Sequence, residues 1–132
     1  MFSETIATQK ILIIDDDRSV RLVLATLLRK NGFVPLEASG GQEGISSLRK
    51  EHPLCVLLDL KMPGMDGIEV LRKIREISQG TGCVIMTAYG GISTAITSMK
   101  EGAFDYIEKP FCPGKVELLI EKLIEHQKIK RE

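Results

Sequence analysis

The sequence predicts an α/β fold of the doubly wound kind, a five-stranded parallel sheet with five helices on its two faces. Three observations lead there. Short apolar runs and helix-period segments alternate five times along 132 residues, the signature of repeated β–α units and a parallel sheet. Three of the runs, I-L-I-I from Ile11, C-V-L-L from Cys55 and C-V-I-M from Cys83, are continuously apolar, as strands buried on both faces must be. The other two carry edge signals: Pro35, which cannot donate to a ladder, and the alternation Phe104, Asp105, Tyr106.

In chain order, Lys10–Ile14 reads as the first strand, stopped by Asp15, Asp16 and Asp17. The segment 18–31 places Val20, Leu24, Leu27 and Leu28 on one helical face, with Asp17 as its cap and Gly32 as its stop. Phe33–Ala38 is the second strand. Ser39 with Gln42 three residues on reads as a capping box for a helix to about Glu51. Pro53–Leu58 is the third strand, ending at Asp59, and 60–66 is a loop before a helix over 67–77. Cys83–Met86 is the fourth strand, ending at Thr87; a loop at 89–91 precedes a helix over 92–101 with Gly102 as its stop. Phe104–Ile107 is the fifth strand. After a loop at 108–112, Pro113 suits the first turn of a last helix, on which Val116, Leu119, Ile120, Leu123 and Ile124 fall at core-facing spacing. Strands one, three and four belong inside and strands two and five outside. The order 2-1-3-4-5 with right-handed crossovers, borrowed from known flavodoxin-like folds, satisfies this.

Bulk composition narrows the function. A chain of this length forms one domain, with a core at about 9–126, and buries roughly two thirds of its unfolded surface. Lys+Arg and Asp+Glu both number 18, a balance that argues against direct nucleic-acid contact. Cys55, Cys83 and Cys112 are odd in number and widely spaced, and the first two sit in apolar runs, which reads as small buried thiols in a reducing, cytoplasmic compartment. Residues 1–10 lack the apolar block of a signal peptide, and no run approaches membrane-spanning length.

In the order 2-1-3-4-5 the C-terminal strand ends stand side by side, about 4.8 Å apart per step. The residues there are Asp15 and Asp16 after strand one, Asp59 after strand three, Thr87 and Ala88 after strand four, and Lys109 and Pro110 after strand five. Ligands of open α/β sheets bind outside these ends, where strand order reverses, here between strands one and three. Three carboxylates in one pocket repel and need a cation, and an all-oxygen donor set favours hard Mg²⁺. A carboxylate beside Mg²⁺ can attack phosphorus, the metal screening the incoming charge. Lys109 offers a second point charge, Thr87 a hydrogen bond, and Ala88 room for a phosphate. Taken singly these residues are bland: Asp after a strand is usually a solvated turn residue, Lys109 a surface lysine, Tyr106 an edge aromatic. The specificity lies in four signals falling, in order, at the ends of four different strands.

These residues carry a resemblance. Ile11–Asp17 (I-L-I-I-D-D-D), Asp59–Gly67 (D-L-K-M-P-G-M-D-G), Met86–Ala88 (M-T-A) and Gly102–Phe111 (G-A-F-D-Y-I-E-K-P-F) resemble the receiver motifs of bacterial two-component response regulators, across nearly the whole chain. The resemblance implies that Asp59 is the phosphoacceptor, served by a sensor histidine kinase. It implies that Asp16 ligates Mg²⁺ directly, that Asp15 holds a metal-bound water, and that the backbone carbonyl of Lys61 completes the protein ligands. Thr87 and Lys109 would grip the phosphate, and Tyr106 would turn inward on activation, switching the face of helix four, strand five and helix five. Lys61 and Tyr89, two residues past Asp59 and Thr87, would tune phosphoryl lifetime. Such a domain catalyses its own phosphorylation and slow dephosphorylation without being a turnover enzyme.

Three other readings compete. A haloacid-dehalogenase-type phosphohydrolase needs an acid two residues past its nucleophile, where this chain has Lys61, and a longer domain. A flavodoxin-like electron carrier needs an uncharged phosphate loop after strand one, where Asp15–Asp17 stand. A metal-free interaction module would show no Mg²⁺ dependence. Finally, 125–132 (E-H-Q-K-I-K-R-E) keeps good helix formers, and 88–91 (A-Y-G-G) with 102–111 resembles receivers of the nitrogen-regulation class, which precede an AAA+ ATPase and a DNA-binding helix-turn-helix. The expectation is the receiver portion of a longer activator, dimerising through the receiver or a linker helix that starts at about 127.

Overall fold

The five apolar runs form a single parallel sheet. The computed structural model describes residues 9–88 and 91–131. Its sheet strands are β1 (Lys10–Ile14), β2 (Val34–Ala38), β3 (Cys55–Asp59), β4 (Gly82–Thr87) and β5 (Asp105–Glu108), and its helices are α1 (Arg18–Lys30), α2 (Gly41–Glu51), α3 (Gly67–Ile77), α4 (Ile92–Lys100) and α5 (Pro113–Arg131). The spatial order is β2-β1-β3-β4-β5, all neighbours parallel, with Ile14 opposite Ala38 and Leu58, Asp59 opposite Met86, and Thr87 opposite Glu108. Pro35 therefore lies on an edge strand, as its missing N–H requires.

The sheet serves two cores, and strand periodicity sorts residues between them. Ile11 and Ile13, Cys55 and Leu57, and Val84 and Met86 join Leu24 and Leu28 of α1 with Val116, Ile120 and Leu123 of α5. Their neighbours Leu12 and Ile14, Val56 and Leu58, and Cys83 and Ile85 join Leu48 of α2 with Val70, Leu71 and Ile74 of α3. This two-sided burial is why the central runs lack polar alternation. The core positions expected on the last helix are filled: Val116, Ile120, Leu123 and Ile124 are buried and Leu119 packs against them. Further along α5, Gln127 Nε2 donates to the carbonyls of Leu54 (3.2 Å) and Gly80 (2.8 Å), fastening the helix to the lower rim of the sheet.

Several local expectations are corrected. The segment 60–66 holds a short antiparallel ribbon, Lys61–Met62 paired with Met65–Asp66, too brief to show periodicity in sequence. The Ser39–Gln42 capping box does not form. The N-cap is Gly40, so the third helical position is Glu43, and its Oε1 accepts the Ser39 N–H at 2.7 Å. The third strand starts at Cys55 instead of Pro53, and the fifth runs one residue later than expected. Asp17 caps α1 as predicted, accepting the Ser19 N–H at 2.9 Å. Gly32 (φ +86°) and Gly102 (φ +102°) sit just beyond α1 and α4 in the left-handed region that terminates a helix at least cost to glycine.

Candidate functional site

The strand ends bring the predicted residues together. Oxygens of Asp15, Asp16 and Asp59 all lie within 4.8 Å of one another. Asp15 leaves β1 fully buried. Its N–H donates to the Ala38 carbonyl (3.1 Å), continuing the β1–β2 ladder by one step. Its Oδ1 accepts the Asp17 N–H (2.9 Å) and its Oδ2 accepts from Lys109 Nζ (2.7 Å). Asp16 is exposed at the mouth. Asp59, 4 % exposed, ends β3; its Oδ1 accepts the Lys61 N–H (3.2 Å) and its Oδ2 lies 3.5 Å from Lys109 Nζ.

The electrostatics follow from that crowding. Burial pushes the Asp59 carboxyl above its ordinary range and the Asp15 charge adds to the push, with the Lys61 N–H and Lys109 opposing. Burial works against charge on Lys109, but its hydrogen bond to Asp15 and the Asp59 charge outweigh this and raise its pKa. Lys109 thus stays protonated between two carboxylates, anchored after β5 by its N–H to the Thr87 carbonyl (2.8 Å) and followed by a cis peptide bond to Pro110.

Thr87 ends β4 beside Asp59. At this strand end its hydroxyl oxygen is buried and has no hydrogen-bond partner among the described residues, which leaves its bonding capacity for a ligand oxygen. A cleft lined by Lys61, Thr87, Ala88 and Ser93 opens there. The residues present fit a divalent hard cation: every clustered donor is a carboxylate oxygen, with no imidazole or thiolate among them. Tyr106 lies on β5 with 38 % of its surface exposed, in an outward position. Tyr89 falls outside the described residues. Cys55 and Cys83 are buried, as expected; burial raises both thiols, that of Cys83 to about 12. Cys112 is exposed.

Sequence reasoning missed Arg21. From the first turn of α1, its Nη1 donates to the Asp15 carbonyl (2.7 Å) while its Nε donates to Glu37 Oε1 on β2 (3.1 Å). The single available hint was an arginine one helical turn past the acidic run. Its partner sixteen residues on, in another element, leaves no local pattern.

The chain is similar to known proteins over most of its length. Residues 11–121 match the family model described as the response regulator receiver domain. The chain is 36% identical over 126 residues to the regulatory protein AtoC of Escherichia coli, covering 96% of this chain and 27% of AtoC. It is 36% identical over 116 residues to sporulation initiation phosphotransferase F of Bacillus subtilis, covering 88% of this chain and 94% of that protein. Among solved structures, NtrX from Brucella abortus superposes with a TM-score of 0.90 at 29% identity, over 94% of this chain and 29% of NtrX. The chain thus spans less than a third of AtoC and NtrX but nearly all of the phosphotransferase.

Proposed function

Because the chain belongs to the response regulator receiver domain family, we propose that Asp59 accepts a phosphoryl group from a sensor kinase phosphohistidine or a small acyl phosphate. The observation that carries this reading is the set of three strand-end carboxylates within 4.8 Å, with Lys109 bridging Asp15 and Asp59 beside the Thr87 hydroxyl, which has no partner among the described residues. An Asp59 oxygen attacks phosphorus, a P–O bond to Asp59 forms, and the P–N or P–O bond to the donor breaks with its electron pair leaving on the donor. Lys109 and the Thr87 hydroxyl hold phosphoryl oxygens. Asp15, Asp16, Asp59 and the Lys61 carbonyl would hold Mg²⁺, which neutralises charge on the transferring group.

The switch follows from the same placement. Phosphorylation adds about −1.5 to −2 charges at neutral pH. The Thr87 hydroxyl turns toward them, and Tyr106 moves into the space behind β4. That rearrangement reaches a face where Ile92, Ile96, Met99, Tyr106 and Leu118 are exposed, an apolar surface suited to a second copy of the chain. Lys61, exposed beside Asp59, slows the water that would hydrolyse the phosphoryl group, and Tyr89 is proposed to act with it. The likeness to the regulatory protein AtoC, much longer than this chain, supports a receiver that controls a larger regulator, with transcription proposed as the output and a linker helix after α5 proposed as the route. A cytoplasmic site of action fits the free thiols, and no helix among the described residues is long and apolar enough to cross a membrane. The test is mass spectrometry after treatment with an acyl phosphate and Mg²⁺. One phosphate should add to the wild type and none to Asp59→Ala; addition to both would sink the assignment.

A further inference from the structure

Asp16 is the one exposed member of the carboxylate cluster, and the backbone that leads into it is held from several sides. β1 pairs with β2 through Ile14 and Ala38, and the Asp15 N–H adds one further bond to Ala38. The Asp15 carbonyl lies past the last paired residue of β1, so no strand supplies its donor. Arg21 Nη1 supplies it at 2.7 Å, and Arg21 is itself held by Glu37 of β2, with a side chain only 14 % exposed. Asp15 is thus fastened at its N–H, its carbonyl and both carboxylate oxygens. The peptide plane that contains the Asp15 carbonyl also contains the Asp16 nitrogen. Turning that plane about ψ of Asp15 would carry Asp16 with it and change the direction of its Cα–Cβ bond relative to Asp59.

We propose that the Arg21–Glu37 pair is a positioning device for the metal site: it fixes the Asp15–Asp16 peptide plane so that the Asp16 carboxylate meets those of Asp15 and Asp59 at a divalent cation. This inference rests on the proposed Mg²⁺-dependent function and adds residues that touch neither metal nor phosphate. Charge alone predicts the opposite sign, since a guanidinium near the cluster repels a cation and its removal would tighten binding. Positioning predicts weaker binding on removal, even when the positive charge is kept, because a lysine cannot bond the Asp15 carbonyl and Glu37 together through a rigid fork.

The experiment is Mg²⁺ titration followed by backbone NMR shifts in wild type, Arg21→Lys, Arg21→Met and Glu37→Ala, with thermal melts of each. Glu37 is 39 % exposed at its side chain, so its alanine variant spares the core if the arginine variants fail to fold. Leu24→Ala, a cavity in α1, is the matched control for simple destabilisation. Loss of a group that orients a metal ligand costs roughly 10–100-fold in affinity. About a tenfold rise in Kd is expected in both arginine variants and a smaller rise in Glu37→Ala, with altered Asp16 and Asp17 amide shifts even before metal is added. Leu24→Ala should lose Tm and keep Kd. Unchanged Kd and unchanged Asp16 and Asp17 shifts in the variants, or an equal rise in Leu24→Ala, would overturn the proposal. A wild type blind to Mg²⁺ would instead sink the functional reading, and the positioning inference would then be decided by the metal-free amide shifts.

Discussion

Replacing Asp59 by Asn should stabilise the metal-free protein while abolishing phosphoryl acceptance. The carboxylate is buried within 4.8 Å of oxygens from two other acids and 3.5 Å from one ammonium. At an effective dielectric of about 20, each repulsion is about 3.5 kcal/mol and the Lys109 attraction about 4.7 kcal/mol, so repulsion leads by about 2 kcal/mol before desolvation is added. Solvent screens the exposed Asp16, which brings the expected gain to about 1–2 kcal/mol, or about 5 °C in Tm for a domain of this size. The pH dependence has a definite sign. Burial, then Asp15, raises the Asp59 pKa above 3.8, so between 3.8 and that raised value the native state binds more protons than the unfolded chain. Wild-type stability falls as pH rises through that window, and the penalty is complete above it. The Asn variant escapes it, so its advantage is full at neutral pH and fades in acid. Thermal melts by circular dichroism in chelator, at neutral pH and in mild acid, measure this. Saturating Mg²⁺ should narrow or invert the gap, because it binds the wild type more tightly. An Asn variant that melts at or below the wild type in chelator at neutral pH would refute the electrostatic reasoning.

Three further outcomes are expected. Thr87→Val removes a buried oxygen without a partner among the described residues, a group whose isolation costs about 1–3 kcal/mol, so its denaturant midpoint should match or exceed wild type before acyl phosphate is added and gain less afterwards; a large loss in the unphosphorylated state contradicts this. Gly67→Ala would place a methyl 2.6 Å from the Leu60 backbone, next to the acceptor, and should cost about 1–3 kcal/mol with shifted Asp59 and Leu60 amides; an unaltered midpoint would show that α3 yields freely. A thiol reagent should modify Cys112 quickly in the native protein and reach Cys55 and Cys83 only on unfolding, so Cys112→Ser should show no fast phase by absorbance.

The parts of the fold that were legible in sequence are those where one residue type answers one local demand. Continuous apolar runs marked the central strands, Pro35 marked an edge, and Asp17 marked a helix start; each stands where the pattern put it. The cluster Asp15, Asp16, Asp59, Thr87 and Lys109 was legible for the same reason, since each residue ends or follows an apolar run and topology gathers such ends. Cross-element features were not. The Arg21–Glu37 pair, the Gln127 bonds under the sheet and the approach of Gly67 to Leu60 depend on packing angles that no window of sequence contains. The ribbon after β3 failed for lack of length, and the α2 cap because Ser39 and Gly40 both suit an N-cap and differ by one residue in register.

The sorting of strand residues between two cores has a consequence at the tip of the sheet. Asp15 and Asp59 continue the register of Ile11, Ile13, Cys55 and Leu57, which belongs to the side of α1 and α5, while Thr87 continues that of Cys83 and Ile85, which belongs to the side of α2 and α3. The steps from β3 to β4 and from β4 to β5 run the same way across the sheet, so right-handed connections place α4 with α3 on that second side. The acceptor carboxylate and the threonine hydroxyl therefore belong to opposite faces of one sheet. A donor seated over α1 and a listener seated on α4 need not exclude each other, and evolution can alter one correspondent's surface while leaving the other's intact.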